Sequence, residues 1–356
     1  MQEIKITKAK VLKEKPDFTK LGFGKYFTDH MFMMDYTPEK GWFNARIVPF
    51  KNLSLSPATT VLHYGVEIFE GLKAYRTKDG YQLFRPYENF KRMNDSAERL
   101  SLPQLDVDFC VEALKTLINI DYDWIPKDLG TSLYIRPFMY GSDEALGVHA
   151  VKNATFVIIL SPVGSYYAGG LAPVKIGIES QDVRAVRGGT GYAKCGGNYA
   201  ASLRADKKAS AKGFSQVLWL DGVERKYIEE VGAMNVMFKI KGEIITPKLI
   251  GSVLPGITRK SIIEILKGWG YKVTERLFSV NELIKACKKG TLEEAWGTGT
   301  AAVVSPIGLL SYLDKDYTIS NNQIGELTQK LYDELTGIQW GLREDTHNWI
   351  VKVKVK

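Results

Sequence analysis

Cysteine and histidine are scarce in this sequence of 356 residues, and neither type is clustered. The three cysteines, Cys110, Cys195 and Cys287, are far apart and show no C-x-x-C or zinc spacing. This argues against a disulfide framework and is typical of the reducing cytoplasm, where we expect the protein to act. The four histidines are isolated from one another. We therefore expect no metal site and no metal hydrolase.

Long apolar runs and long runs of like charge are also missing. No apolar stretch reaches the length of a membrane span, and residues 1–15 are too polar for a signal peptide. The net charge is +8, but the basic residues are scattered through both halves of the chain. We therefore expect neither membrane nor nucleic-acid binding, and we interpret the charge as attraction for small anions or as solubility alone.

The apolar residues that are present suffice for a large folded core. They make up 45% of the chain, and charged residues make up 25%, which is ordinary for a soluble globular protein. The length exceeds what one core usually serves, so we expect two domains. Proline, glycine and tyrosine concentrate in residues 161–170. This predicts a first domain of residues 1–163, a connection of residues 164–171 and a second domain of residues 172–356.

The order of the elements predicts an α+β protein. In the first half, Asp79-Gly80 indicates a hairpin, and Pro86 opens a helix. The other first-half elements are a helix at about residues 107–120 and strands at about residues 133–140 and 155–163. In the second half, helices are predicted at about residues 198–211, 257–269, 280–288 and 322–336, and strands at about residues 174–178, 216–220, 225–230, 234–240, 244–247, 272–277 and 292–296. The succession of short strands from residue 216 to residue 247 predicts a sheet of hairpins.

A single lysine, Lys194, lies in the glycine-rich residues 188–199. The flanking glycines permit positive φ and the close approach of another group. A lysine that condenses with a carbonyl needs such room and a lowered pKa, whereas a lysine placed for solubility does not. On these residues alone, a solvated surface loop is the simpler interpretation.

Two glycine-containing turns in the second half have the composition of anion sites. Residues 254–259 stand before a helix, where free backbone N–H groups favour a negative group. Residues 297–302 follow a strand and offer consecutive N–H groups with two hydroxyls. Each turn is explained equally well as an ordinary helix start or tight turn. Neither matches a P-loop, and the glycines around Lys194 do not match a dinucleotide-binding motif.

A pair of carboxylates, Glu229 and Glu230, ends a predicted strand. If one of these carboxylates points into the interior, it needs a cation as its partner, because an unpaired buried charge is costly. The alternative is that both carboxylates are exposed to solvent. Taken together, a lysine amine, an inward carboxylate and two anion-type turns are what pyridoxal 5′-phosphate (PLP) requires. Its aldehyde needs an amine, its ring nitrogen a carboxylate and its phosphate N–H groups.

Several motifs in this order make the chain resemble the branched-chain amino acid aminotransferases of fold type IV. In the second half they are KCGGNY at residues 194–199, YIEEVGAMN at 227–235, LPGITR at 254–259 and GTGTA at 297–301. In the first half they are FTDHM at residues 27–31, LHY at 62–64, FEG at 69–71, LFRP at 83–86, YIRP at 134–137 and LGV at 146–148. The resemblance implies a two-domain α+β fold like that of D-amino acid aminotransferase, with a smaller N-terminal α/β domain and a larger C-terminal domain built on a barrel-like sheet.

The same resemblance implies roles for individual residues around the cofactor. Lys194 is expected to bind the PLP aldehyde and then to move a proton between Cα and C4′. Glu230, rather than Glu229, matches the position that pairs with the ring nitrogen, and Tyr199 matches the partner of the phenolic oxygen. The phosphate is expected to contact Arg92, Ile257, Thr258 and Thr300. The active site is thus expected between the two domains.

The resemblance also implies a substrate pocket and a reaction. The expected apolar box for a branched side chain consists of Phe23, Tyr64, Phe69, Tyr134 and Tyr166. Val148 is expected from the neighbouring subunit of a homodimer, Arg136 orients tyrosines or assists 2-oxoglutarate, and the N–H groups around Thr300 and Ala301 receive the substrate α-carboxylate. The implied reaction is reversible amino transfer from L-leucine, L-isoleucine and L-valine to 2-oxoglutarate, giving L-glutamate.

The chain departs from animal members of this family at three positions. Ala302 and Ser305 replace a C-x-x-C, so we expect no thiol switch of activity. Ala233 replaces a threonine near the substrate carboxylate, so one side-chain hydrogen bond is in doubt. The alternatives within the fold are D-amino acid aminotransferase and aminodeoxychorismate lyase, whose charged pockets fit the apolar box poorly. Outside it, a non-catalytic cofactor carrier or a nucleic-acid-binding protein remains an alternative.

Overall fold

The computed structural model describes residues 3–164 and 171–355, so the predicted pocket residue Tyr166 lies outside the described residues. The strands are β1 Lys5–Ile6, β2 His30–Thr37, β3 Gly41–Pro49, β4 Glu67–Phe69, β5 Leu72–Thr77, β6 Gly80–Phe84, β7 Ser132–Gly141, β8 Ala154–Val163, β9 Val174–Ile178, β10 Gln216–Leu220, β11 Ile228–Val231, β12 Met234–Ile240, β13 Glu243–Pro247, β14 Val273–Arg276, β15 Leu292–Gly299, β16 Val303–Tyr312, β17 Lys315–Thr318 and β18 Ile350–Lys354. The helices are α1 Thr60–Tyr64, α2 Pro86–Arg99, α3 Val107–Ile120, α4 Gly196–Ala200, α5 Leu203–Ala211, α6 Ile257–Gly268, α7 Val280–Lys288 and α8 Glu326–Gln339. Every helix among these residues is too short or too polar to cross a membrane.

The chain folds into two compact units. The first comprises Met1–Ala168, Ala193–Gly196 and Gly337–Lys356, and the second comprises Gly169–Tyr192 and Gly197–Thr336. This division differs from the domains predicted from sequence, because the lysine segment and the C-terminal segment join the first unit. The C-terminal segment does so through β18, which pairs with β6. The first unit consequently holds more residues than the second, whereas the sequence predicted a smaller N-terminal domain.

The first unit is built on one sheet with two different faces. The strand order is β1-β3-β2-β8-β7-β5-β6-β18, and β4 pairs with β7. On one face, apolar side chains of β4, β5 and β7 pack with α2 and α3 into a single core. Because successive side chains of a strand alternate between faces, the other face carries the residues between them. We call this second face the polar face; it is defined by Glu67, Phe69, Lys73, Tyr134 and Arg136.

The second unit contains a closed ring of six strands. The ring runs β11-β10-β9-β16-β15-β12 and closes through the β11–β12 pairing. Two of its pairings, β9 with β10 and β9 with β16, are parallel. The prediction of a barrel-like sheet is therefore confirmed, and the hairpins predicted for residues 216–247 are present, because β10–β11, β11–β12 and β12–β13 pair antiparallel in turn. Parallel neighbours are joined by long connections, which local sequence does not reveal.

Most predicted elements are found with small changes of bounds. The predicted hairpin at Asp79-Gly80 joins β5 and β6, and α3, β9, β10 and α7 have the predicted bounds. The predicted helix of residues 198–211 is instead two helices, α4 and α5. The C-terminal helix begins four residues later than predicted, at Glu326, because Asn321 and Asn322 adopt left-handed φ angles of 51° and 56°.

Candidate active site

The backbone around Lys194 is held by β4 and α2. The N–H of Phe69 donates to the Lys194 carbonyl at 2.9 Å, and Ile68 forms an isolated antiparallel bridge with Cys195. On the other side, the N–H of Lys194 donates to Ser96 Oγ of α2 at 2.9 Å. The lysine thus lies on an ordered segment and not on the solvated loop that was the simpler interpretation of its sequence.

The amine of Lys194 lies among aromatic and charged side chains of the first unit. Its Nζ is 4.7 Å from the centre of the Phe69 ring. Burial lowers the pKa of Lys194 to about 8, and the positive charges of Arg92 and Arg136 act in the same direction. Glu70 opposes them. A lysine with this pKa is neutral in part near physiological pH, as a nucleophile or base must be.

Four of the predicted pocket residues meet on or beside the polar face. The rings of Phe23 and Tyr134 pack edge to face with centroids 4.9 Å apart. Arg136 Nη2 donates to the Tyr134 hydroxyl at 2.9 Å, and its guanidinium lies 4.6 Å from the Phe69 ring centre. Arg136 Nε is buried and has no hydrogen-bond acceptor among the described residues. Aromatic walls with one cation between them suit an apolar substrate side chain and, alternatively, a second carboxylate.

Two other predicted pocket residues lie at the surface of the first unit. The Tyr64 ring is 39% exposed, and its hydroxyl donates to the carbonyl of Leu146. Val148 is 81% exposed. The single chain therefore does not place Val148 in its own apolar cluster. The placement of Val148 on a neighbouring subunit stays a prediction.

Arg92, the predicted phosphate ligand of α2, forms a two-pronged ion pair with Glu70. Arg92 Nε donates to Glu70 Oε1 at 2.7 Å and Nη2 donates to Oε2 at 2.9 Å. Both side chains are buried, and a buried arginine requires such a partner. Glu70 therefore fixes the position of Arg92. Glu70 was not predicted as a site residue from the sequence, although it follows directly on Phe69.

In the second unit, the structure distinguishes the two adjacent carboxylates. Glu230 is buried, and Arg184 Nη2 lies 2.6 Å from its Oε2. Asn235 Nδ2 donates to Glu230 Oε1 at 3.1 Å. Glu229 lies on the opposite face of β11, where Ser252 Oγ donates to it and burial raises its pKa. A guanidinium and an amide N–H are the partners of an ionised carboxylate, so Glu230 is suited to hold a positive charge nearby.

The turn before α6 is tied to the same carboxylate. Asn235 Nδ2 also donates to the Leu254 carbonyl at 2.9 Å. A Cβ added to Gly256 would lie 1.9 Å from Asn235 Oδ1, so only glycine fits at this position. The helix begins at Ile257 without a side-chain cap. The N–H groups of Ile257 and Thr258 therefore have no intrahelical acceptor, and they are suited to an anion.

The turn between β15 and β16 holds the remaining predicted ligands, Thr300 and Ala301. It returns through Val303, whose φ of 60° is unusual for a β-branched residue. Thr298 Oγ donates to the Val303 carbonyl at 2.9 Å and supports this conformation. Strained backbone that neighbouring hydrogen bonds hold in place is common at ligand-binding sites.

Tyr199, the predicted partner of the phenolic oxygen, lies on α4 and is half-buried.

Comparisons with known proteins agree with this arrangement. The model of the family described as amino-transferase class IV matches residues 67–310. The branched-chain-amino-acid aminotransferase 2 of Bacillus subtilis is 55% identical over 99% of this chain and 97% of that relative. The chain belongs to the class IV aminotransferase family. A probable branched-chain-amino-acid aminotransferase of Staphylococcus aureus is 54% identical over 99% of both chains.

Solved structures of branched-chain amino acid aminotransferases have the same fold. The branched-chain amino acid aminotransferase of Escherichia coli has a TM-score of 0.77 at 26% identity, covering 91% of this chain and 99% of its own. The T.th. branched-chain amino acid aminotransferase in complex with N-(5′-phosphopyridoxyl)-L-glutamate has a TM-score of 0.75 at 27% identity, covering 93% and 98%. The predicted fold type IV architecture is confirmed.

Several residues of the site were missed by sequence analysis. Arg184 and Asn235 hold Glu230, while Glu70 holds Arg92. Lys73 lies opposite Tyr134 on the polar face, and burial lowers its pKa to about 8 as well. Lys73 stands between the apolar residues Leu72 and Ala74 of β5, and a charged residue between core residues is a local signal of a functional or paired group.

Proposed function

We propose that this chain is a PLP-dependent branched-chain-amino-acid aminotransferase, which transfers the amino group of L-leucine, L-isoleucine or L-valine to 2-oxoglutarate. The observation that carries the proposal is the surroundings of Lys194. Its amine has a pKa of about 8 and lies beside Phe69, in the unit where Phe23, Tyr134 and Arg136 form one cluster. Relatives more than half identical over nearly the whole chain carry the same activity in their names.

The donor groups present fit PLP. The chain offers an amine of lowered pKa, a buried carboxylate with cationic support and an uncapped helix start. When bound, PLP supplies an aldehyde that accepts the substrate amine and a protonated ring that withdraws electrons from the Cα–H bond. The side chains and backbone N–H groups described above would bind and orient the cofactor and the substrate and would move the proton.

In the first unit, Lys194 is the residue that would bind the aldehyde. Its free amine is neutral in part because of its lowered pKa, so it would take the proton from the substrate Cα and return it at C4′. Arg92, fixed by Glu70, provides positive charge for the phosphate.

In the second unit, Glu230 is proposed to hold the proton on the ring nitrogen. Arg184 and Asn235 keep its carboxylate in place. Tyr199 is proposed to hydrogen-bond the phenolic oxygen. The remaining proposed contacts to the phosphate are the N–H groups of Ile257 and Thr258 and the hydroxyl of Thr300, and the N–H of Ala301 is proposed for the substrate α-carboxylate.

The substrate side chain is proposed to bind against the aromatic residues near Lys194. Phe23, Phe69 and Tyr134 form this surface in the described chain, and Tyr64 and Tyr166 complete the proposed box. Such a box distinguishes leucine from valine by only about 1–3 kcal/mol, so all three branched substrates react. We further propose a homodimer acting in the cytoplasm, in which the exposed Val148 is supplied to the partner subunit.

A half-reaction with L-leucine tests the proposed function. The PLP-loaded enzyme is mixed with L-leucine in the absence of 2-oxoglutarate, and the visible absorbance of the cofactor is followed. We expect the bound aldehyde to convert to the amine form with L-leucine, and D-alanine to give no conversion. Conversion by D-alanine alone would favour a D-amino acid aminotransferase. A spectrum unchanged by either amino acid would favour a non-catalytic carrier. A Lys194→Ala variant with the same cofactor spectrum and the same conversion by L-leucine as the unmodified enzyme would contradict the role of Lys194.

A further inference from the structure

One acidic side chain of the polar face has no place in the proposed reaction. Glu67 is the first residue of β4 and is half-buried. Its neighbour Ile68 points into the apolar core with α2 and α3. By the alternation of strand side chains, Glu67 and Phe69 therefore point to the same side, where Phe69 contacts Lys194 and Arg136.

One hydrogen bond and one charge interaction act on the Glu67 carboxylate near the reacting groups. The N–H of Gly196 donates a hydrogen bond to it, and the positive charge of Arg136 also stabilises its ionised form. The approach to the Gly196 backbone is close, since a Cβ added there would lie 2.0 Å from Glu67 Oε1. Gly196 is two residues from Lys194. Burial nevertheless raises the pKa of Glu67, as expected for a carboxylate beside aromatic rings.

A carboxylate is unexpected on a surface proposed to bind leucine. An aliphatic side chain gains nothing from it, and the second carboxylate of 2-oxoglutarate is repelled by it. The nearby cation, Arg136, has the opposite preferences. The buried Nε of Arg136 lacks a hydrogen-bond acceptor among the described residues, so the guanidinium can bind a substrate carboxylate. Beside an aliphatic substrate side chain, the uncompensated charge of Arg136 is unfavourable.

We propose that Glu67 is the counter-charge of Arg136 and sets the balance between the two substrate classes of this enzyme. With an aliphatic substrate, the negative charge of Glu67 compensates Arg136, so the surface binds an uncharged side chain. With a dicarboxylate, the distal carboxylate takes Arg136 as its partner and competes with Glu67. Glu67 thus weakens dicarboxylate binding and spares branched aliphatic binding. The inference rests on the proposed function, because it assumes that both substrates bind beside Arg136.

Glu67→Gln removes the negative charge of Glu67 but can keep its hydrogen bond with the Gly196 N–H. Glutamine keeps a carbonyl oxygen that accepts from the Gly196 N–H, so the segment carrying Lys194 keeps its support. Glu67→Asp retains the charge, and Glu67→Ser is a second neutral variant. Glu112→Gln is a matched control, because Glu112 lies on α3 in the same unit with its side chain 51% exposed.

The experiment measures the binding of two unreactive acids to the PLP-loaded enzyme. Glutarate stands for the dicarboxylate and 4-methylpentanoate for the aliphatic substrate, and dissociation constants are obtained from spectral titration. We expect Glu67→Gln and Glu67→Ser to bind glutarate about tenfold more tightly than the unmodified chain, with little change for 4-methylpentanoate. Glu67→Asp and Glu112→Gln should leave the ratio of the two constants near its original value.

Steady-state kinetics complete the test. In Glu67→Gln, the KM for 2-oxoglutarate should fall while the KM for 4-methyl-2-oxopentanoate and the kcat stay within about twofold. An unchanged ratio of the two acids in both neutral variants would overturn the inference. So would a parallel loss for both acids with a lower kcat, which would indicate that Glu67 merely supports Gly196. Failure of the unmodified enzyme to transaminate L-leucine would instead contradict the proposed function.

Discussion

Arg184 and Glu230 form a buried ion pair in the second unit, with Nη2 2.6 Å from Oε2. The same nitrogen donates to the carbonyls of Gly191 and Ser252 at 3.1 and 2.6 Å. One guanidinium therefore links the proposed ring-nitrogen partner to the glycine-rich stretch and to the loop before α6. The position of Glu230 depends on residues far away in sequence, and this dependence can be tested by substitution.

Arg184→Met should destabilise the protein strongly. It leaves the Glu230 carboxylate buried with its cation removed, and breaking a buried pair from one side costs about 3–5 kcal/mol. Chemical denaturation measures the free energy of unfolding. The control is Arg204→Met, which removes an ion pair with Asp182 at an arginine that is 74% exposed and should leave stability unchanged. Equal stability of the two variants would show that the Arg184 pair is not a structural requirement.

The rate at which PLP loads onto the apoenzyme should depend on the protonation of Lys194. Only the neutral amine attacks an aldehyde, and burial lowers the pKa of Lys194 to about 8. The rate should therefore be low at acidic pH, rise through about pH 8 and level off above it. Stopped-flow absorbance gives the profile. Lys73→Met tests a second buried lysine whose pKa is lowered to about 8 and should retain loading, whereas Lys194→Ala should abolish it. A midpoint near the ordinary lysine pKa would contradict the burial of this amine.

Gly256→Ala should weaken PLP binding. The added methyl group would lie 1.9 Å from Asn235 Oδ1, so Asn235 would move and lose its bonds to Glu230 and Leu254. Loss of hydrogen bonding to a charged group predicts a dissociation constant raised by about tenfold or more. Gly268→Ala, at the end of the same helix, meets no atom within 4 Å and serves as the control. If both variants bind PLP equally well, the turn does not hold the phosphate.

Gly71→Ala should impair turnover with L-leucine through Tyr134. A methyl group at this position would lie 2.2 Å from the Tyr134 hydroxyl, so the ring must shift from the surface that it forms with Phe23 and Arg136. Misplacement of a substrate-positioning group can reduce kcat/KM by about a hundredfold. Adding Tyr134→Phe removes the clashing oxygen and should restore part of the loss. A double variant as poor as Gly71→Ala would exclude this explanation.

Ala233→Thr should lower the KM for L-valine by a few-fold. Ala233 lies in the exposed turn between β11 and β12, so the larger side chain has space. Its hydroxyl would add one hydrogen bond for the substrate α-carboxylate, a group that L-valine and L-leucine share, so the KM for L-leucine should fall by a similar factor. Steady-state kinetics with L-valine and L-leucine provide the measurement. An unchanged KM for L-valine would remove the idea.

Local sequence was enough to predict elements whose stability depends on their own pattern. The helix α3 has its predicted bounds, because its apolar residues repeat at helical spacing and Asp106 caps its first turn. The hairpin of β5 and β6 follows from Asp79-Gly80. The strand β18 was not predicted, because its pairing with β6 joins residues that are more than 250 positions apart.

The glycines around Lys194 illustrate a partial success. The sequence predicted positive φ angles and close approach. In the structure only Gly188 of this stretch has a positive φ, at 83°. Gly191 and Gly196 instead admit close neighbours, namely the Ser252 carbonyl and the Glu67 carboxylate. Close approach was thus correctly predicted, but the group that approaches is set by other parts of the chain.

Local patterns were sufficient to predict most of the elements, the candidate residues named above and the family, because helical period, turn chemistry and ordered motifs are properties of short stretches of chain. The folded chain was needed to show which of Glu229 and Glu230 has Arg184 as its partner, and which carboxylates lie beside Lys194 and Arg136. The physical reason is that charge pairing and burial depend on distances between residues far apart in the chain. Those distances exist only after the strands have paired.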